Sequence, residues 1–546
     1  MKLKLILLVA AVCVLSAAET RAQSFAITNA RIVTVSGTTI EKGTVVVRNG
    51  LIDAVGANVQ APADARVIDG TGLTVYPGFI DALTNVGIQA QATPQPQGRG
   101  QGGPAAQQST QPTSNSNYPA GLRPEDAVAD DIKAGDSQFE SVRNAGFTTA
   151  LTTGRTGIFN GQSAVINLAG DTASAIIIKA PFAEHVSFRT IGGGQYPGSL
   201  LGTFSALRQM LYDARRLQQL EKQYAADPRG ITRPQPDKSL EALYPVINRQ
   251  MPVVFYANSE NEITRALDLA KEFNIKAIIA GGQESWKLAD RLKAQDVPVL
   301  LSINFPKRTA AASPDADPES LEVLRLRAEA PKGAARLAQA GVKFAFVSDG
   351  VRTPGDFFTN AGKAVENGLN KDAATRAMTL GSAELLGVSD RLGSIDKGKI
   401  ADLTVVKGDL FGKDRSVRYV FVDGKLFEQK EQPKRETPRA GAPNAGVANV
   451  GGSYAITIDI PGQALTGTLN LVQQGAILTG EMVTPLGTTP LKDGKVTADG
   501  FTFSGSVEYG GSVIEIVVKG SVSGNNVSGS IDSPQGVVPF SGTRNP

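Results

Sequence analysis

Histidine and cysteine each occur once in 546 residues, as His185 and Cys13. A single imidazole excludes any metal centre gripped by several histidines, the usual donors to a zinc-type ion. It also leaves a Ser/His/Asp triad with no base other than His185. One cysteine excludes intrachain disulfides and thiolate zinc sites. Charge of one sign is missing too: 55 basic residues face 52 acidic ones, for a net charge of +3. That balance argues against nucleic acid or an anionic membrane as a partner. No Walker loop or dinucleotide fingerprint stands between a strand and a helix, and no Gly-x-Ser-x-Gly elbow is followed by a histidine. Paired carboxylates of the glycosidase kind stay open, because their separation is a spatial quantity.

Long apolar runs are equally scarce. The one from Leu5 to Ala18 follows Lys2 and Lys4 and precedes Thr20-Arg21-Ala22. A basic start, a short apolar stretch and small residues before Gln23 read as a signal peptide over residues 1–22. The expectation is export to the periplasm or outside the cell, with no membrane span once the signal is cleaved. Cys13 lies inside that segment, so the mature chain would carry no thiol and no cysteine nucleophile.

What is present is ordinary globular material, 41% apolar and 20% charged, too long for one simple domain. Short β-branched runs fill residues 23–76, with Asn49-Gly50 as a hairpin turn. A similar β region spans 390–427. Between them strands and helices alternate, the pattern of parallel strands with crossover helices. Strands are expected at Phe147–Thr153, Ala164–Leu168, Ala175–Lys179, Val253–Ala257, Lys276–Ala280, Pro298–Ile303 and Phe344–Ser348. Helices are expected at Leu201–Ala225, Ser239–Arg249, Asn261–Phe273, Ser285–Gln295, Glu319–Gln339 and Lys371–Leu386. Ser259 and Glu262 form a capping-box pair. Residues 89–117 are rich in Gln, Pro, Gly, Ser and Thr, which predicts a disordered insertion. Residues 428–451 read as a linker, and 452–546 as a separate antiparallel β-barrel-like module. Its aromatics Tyr454, Phe501, Phe503, Tyr509 and Phe540 are assigned to its core, and its glycines to turns and strand packing.

The stretch Val75-Tyr76-Pro77-Gly78-Phe79-Ile80-Asp81-Ala82-Leu83-Thr84-Asn85 organises the rest. It resembles the first barrel strand of the amidohydrolase superfamily, in its metal-dependent, imidazolonepropionase-like branch, where the pattern is Pro-Gly-Phe/Leu-Ile-Asp-x-His-x-His. The resemblance covers about residues 25–427. It implies an α/β (β/α)8 TIM barrel over 77–389 beside a composite β-sandwich from 23–76 and 390–427. It also implies a zinc-type or other divalent metal that activates water to cleave C–N bonds. Family ligands are two histidines on strand 1, a Lys or Glu on strand 4, histidines on strands 5 and 6, and an aspartate on strand 8.

This sequence departs from that set almost everywhere. Leu83 and Asn85 stand in the strand-1 histidine positions. Val254-Phe255-Tyr256-Ala257-Asn258 resembles the strand-5 segment, with Tyr256 and Asn258 in place of histidines. In Ile279-Ala280-Gly281-Gly282, Gly281 takes the strand-6 position. The strand-4 ligand has no clear counterpart near Phe188–Gln195. Only Asp349 matches, as the strand-8 aspartate, and after a strand it reads equally well as a cap. Leucine has no lone pair, and amide and phenol oxygens suit zinc poorly. No bound metal or other cofactor is therefore expected.

Two functional readings follow. In the first, the chain is an exported amidohydrolase-superfamily protein without metal ligands, a binding or partner subunit. It would form a homo-oligomer, or a hetero-oligomer with an intact paralogue, as association of intact family barrels implies. In the second, it is a divergent hydrolase of C–N or dipeptide bonds using Asp349 and His185. A third possibility gives the function to the C-terminal module. The five altered positions are expected to line the former metal cavity, as inert filling or as a polar pocket; Tyr and Asn tilt this toward a pocket.

Overall fold

The computed structural model describes residues 24–88, 117–119, 121–135, 137–154, 157–190, 196–308, 319–348, 351, 353–429, 449–460, 463–485, 487–497, 500–509, 512–533 and 536–545. The expected signal peptide, almost all of the 89–117 insertion, most of the 428–451 linker and Asp349 lie outside these residues. The chain divides into two compact units, Met1–Glu431 and Gln432–Pro546.

In the first unit, the N-terminal strands and the strands after residue 400 build one eight-stranded sheet. Leu73–Pro77 joins the two halves. It runs parallel to Phe25–Ile32 on one side and antiparallel to Leu403–Lys407 on the other. The N-terminal and later strands are therefore joined through one continuous ladder. Its core holds Phe25, Ile27, Val45, Ile52, Leu403 and Phe421.

The α/β part contains two further sheets. Phe79–Thr84 runs parallel to Phe147–Thr152, which then pairs antiparallel with Ala164–Asn167. Glu184–Ser187, Val253–Ala257, Ala277–Gly281, Val299–Ser302 and Phe344–Val347 form a consecutive parallel series. Phe159–Gln162 pairs antiparallel with Glu184–Ser187, so the run 159–167 touches both sheets. No ladder between described residues joins Phe344–Val347 to Phe79–Thr84; a side chain does so instead. The buried Asp81 carboxylate accepts from the Ser348 amide at 3.0 Å and from the Ser348 hydroxyl.

Alternation along the parallel strands separates two apolar layers. Ile80, Leu151, Val254, Ile278, Leu300 and Ala345 cluster on one face. Phe79, Phe147, Phe255, Ile279 and Phe346 pack on the other with helix residues Leu267, Phe357 and Phe358. Burial on both faces is what parallel strands under crossover helices require. Helix starts follow local rules. Ser259 and Glu262 make the expected reciprocal cap of Glu260–Phe273, whose C-cap Asn274 is left-handed.

Several expectations changed in detail. The 239–249 helix is two short ones, Lys238–Glu241 and Tyr244–Ile247, with Pro245 starting the second. The 371–386 helix breaks at Thr379, which has non-helical dihedrals. The 175–179 strand shortens to Ile177–Lys179 behind a turn of helix. Pro354–Glu366, with Thr353 as N-cap, is a helix that periodicity did not reveal.

The second unit is a closed antiparallel barrel. Gly452–Ile460, Gln463–Gln474 and Ile477–Thr484 pair in sequence order, and Lys492–Thr497 to Gly536–Arg544 continue the meander. Gly536–Arg544 returns to pair with Gly452–Ile460, closing the ring. Tyr454, Phe501, Phe503 and Phe540 fill its interior. The side chain of Tyr509 lies outside the described residues. Gly529 shows why glycine recurs in these strands: an added Cβ would lie 2.0 Å from the Lys519 carbonyl and 2.7 Å from the Phe540 ring.

Candidate functional site

Parallel strands place all their carboxyl ends at one edge, where loops create a crevice. A cavity of about 570 Å³ opens there. Leu83 and Asn85 enter it from the end of Phe79–Thr84, and Tyr256 and Asn258 from the end of Val253–Ala257. Thr153, Asn160, Ser187, Arg189, Ser348 and Thr353 add polar groups. The volume falls within the usual range for small-molecule sites, about 300–1,000 Å³.

Each of the five altered positions has a definite placement. Leu83 is buried in the inner apolar cluster with Ile80 and Val254, while Asn85 is exposed at the mouth. Tyr256 is half-buried and Asn258 exposed. Gly281 does not line the cavity; it supports Asn258 from beneath. Its φ of +90° is a left-handed conformation, and a Cβ there would sit 2.3 Å from Asn258 Oδ1. The absence of a side chain at 281 is thus what admits the amide. Asp349 follows Ser348 but lies outside the described residues.

The two acids among the described lining residues, Asp81 and Glu262, are already engaged. Asp81 accepts from Ser348, and from the Leu83 amide at 3.4 Å. Glu262 Oε2 accepts from the Asn258 and Ser259 amides at 2.9 and 3.1 Å. Ser187 Oγ donates to the Gly157 carbonyl at 2.6 Å. The Arg189 guanidinium has no hydrogen-bond or ion-pair partner among the described residues.

A divalent metal does not fit this donor set. Leu83 and Gly281 offer no side-chain donor, and Asn85, Tyr256 and Asn258 offer amide and phenol oxygens, which suit zinc poorly. Among the described residues no group of three or more His, Cys, Asp or Glu side chains could hold a metal ion.

His185 sits below the cavity and does not line it. It is fully buried, its ring centroid 5.8 Å from that of Tyr256, with no partner for either nitrogen among the described residues. Burial depresses its pKa to about 3, so the imidazole is neutral at physiological pH. Its neighbour Glu184 is also fully buried, and no hydrogen bond of good geometry reaches its carboxylate oxygens. Burial first, then Glu125 and Asp126, push that carboxyl well above the usual range.

Arg189, Ser187, Asn160, Thr153 and Thr353 escaped the sequence reading. A signal existed only in part: Ser348 follows the apolar strand Phe344–Val347, while Thr84, Thr152 and Ser187 end strands that already carry polar residues. Strand ends at the carboxyl edge of a parallel sheet are where ligand contacts gather.

Comparison with known proteins gives this geometry a setting. Residues 320–427 match the amidohydrolase family model. An amidohydrolase from Thermotoga maritima aligns over 74% of this chain and 100% of its own length, at 24% identity and a TM-score of 0.60. An Xaa-Pro dipeptidase with methionine in its active site aligns over 74% of this chain and 100% of its own, at 18% identity and a TM-score of 0.44. A putative prolidase from Bifidobacterium longum covers 76% of this chain and 96% of its own, at 16% identity and 0.42. Among curated proteins none matches the sequence. Residues 320–427 are thus similar to the amidohydrolase family, and the Thermotoga structure shares the fold of the first unit.

Proposed function

We propose that this chain is an exported, non-catalytic amidohydrolase-superfamily protein that binds a small molecule where intact members bind metal and substrate. The observation that carries the reading is the cavity itself. It stays open at the carboxyl ends of the strands while Leu83, Asn85, Tyr256 and Asn258 stand in the ligand positions. Loss of function without replacement would allow apolar side chains to fill that space; here polar groups border it. The two α/β sheets are read as arcs of one distorted (β/α)8 barrel, with 159–167 as an antiparallel stave and the Asp81–Ser348 contact as the seam. The Thermotoga fold supports this.

As a binding subunit the chain associates with itself or with an intact paralogue, and residues 1–22 direct it across the membrane. Size-exclusion chromatography and cell fractionation test those two parts. No helix among the described residues is long and apolar enough to cross a membrane.

The decisive experiment is metal analysis of purified protein alongside thermal unfolding with and without EDTA. Zinc and manganese are expected well below one per chain, with an unchanged Tm. One tightly held ion per chain, or turnover of imide, cyclic amide or dipeptide substrates abolished by Asp349→Asn, would overturn the proposal in favour of a divergent hydrolase.

A further inference from the structure

We infer that the cavity selects a small organic acid, a ligand with a carboxylate head and a compact apolar body. The inference rests on the cavity being a working binding site, as proposed above, and adds the charge of what it holds. Arg189 is the only basic side chain among the described lining residues. A guanidinium is permanently charged and presents a planar fork that matches a carboxylate with two parallel hydrogen bonds. Among the described lining residues the two acids, Asp81 and Glu262, already accept hydrogen bonds from other groups. Asp81 is committed to Ser348 and Leu83, and Glu262 to the amides that begin its helix.

The remaining lining fits the body of such a ligand. Asn85, Asn160 and Asn258 supply neutral donors and acceptors, suited to an amide. Leu83, Val86 and Val351 supply apolar wall. Leu83 thus has a positive role in this reading, placing hydrocarbon where a histidine would have drawn in a cation.

A matched pair of probes tests this, N-acetyl-L-leucine and N-acetyl-L-leucinamide, which differ in carrying or lacking the carboxylate. Calorimetry or saturation-transfer NMR on the full chain should show the acid bound about tenfold more tightly than the amide, the effect of one charge-assisted contact. That preference should shrink as salt rises. Arg189→Gln should erase it, while Arg229→Gln, on a remote exposed arginine, leaves it intact. Equal binding of acid and amide, a preference that survives Arg189→Gln, or no binding of either at millimolar concentration would overturn the inference. Equal binding would spare the proposed function, whereas a tight metal ion with turnover would sink that reading whatever the probes do.

Discussion

The two units of this chain both pack strands against apolar layers, but their ladders are arranged differently. In Gln432–Pro546 every neighbouring pair of strands shares an antiparallel ladder, and the last returns to the first. Aromatic rings fill the centre, Phe501 and Phe503 stacked with centroids 6.1 Å apart. In the α/β part of the first unit, ladders stop at Phe344–Val347, and Asp81 spans the gap to Ser348. That ring is sealed by backbone hydrogen bonds and carries large side chains at its centre. The parallel strands are solid in the middle and open at their carboxyl edge, because their connections begin there.

The comparison can be broken most forcefully from the filled side. Phe503 is 1% exposed, and Phe503→Ala should cost about 3–5 kcal/mol in the second unit. Calorimetry should show that unit's transition lowered or lost while probe binding to the first unit persists. Loss of both would mean the units are not independent.

Asp81→Ala attacks the side-chain link between the two α/β sheets of the other unit. It removes the acceptor from the half-buried Ser348 amide and hydroxyl, at about 1 kcal/mol for each hydrogen bond lost. The expected result in denaturant titration is a destabilised first unit and weaker ligand binding, with the second unit unchanged. Full stability in Asp81→Ala would show that the two sheets are held together by packing alone.

The smallest effect concerns protonation. His185 is the sole histidine, so its C2 proton is uniquely identifiable by NMR. With its pKa lowered to about 3 from an ordinary 6.5, it should show no titration between pH 5 and 8. The sign follows from linkage: the unfolded chain binds this proton more readily, so the contribution to stability is complete above pH 6.5 and declines as pH falls toward 3. His185→Leu should flatten that limb. Asp402 acts in the opposite direction. Burial raises it from 3.8 to about 6, so its contribution is complete below pH 3.8 and is lost as pH rises through 6. A histidine resonance that titrates near pH 6.5 would show that water reaches the layer below the cavity.

Much of this architecture was legible in the chain. Asn49-Gly50 marked a hairpin between Ile40–Arg48 and Leu51–Gly56, and the Ser259/Glu262 pair marked a helix start; both are local chemistry that needs no tertiary information. Of the cavity, Leu83, Asn85, Tyr256 and Asn258 were accessible because a family pattern placed them. Arg189 had no pattern to announce it. The Glu184–Ser187 strand before it is only four residues long and carries two ionisable groups, which hid its apolar period.

Residue types settled by themselves that this chain cannot assemble several imidazoles or thiolates around a metal, since composition limits chemistry before any folding occurs. Periodicity likewise marked many of the strands and helices, though not Pro354–Glu366, because burial of one face repeats at two or 3.6 residues. Tertiary structure alone decided that the space between Leu83, Asn85, Tyr256 and Asn258 stays open. It also decided that Gly281 yields its volume to Asn258, and that His185 lies sealed beneath the cavity. Those outcomes depend on which distant side chains converge, and volume and burial are properties of that convergence and not of any one segment.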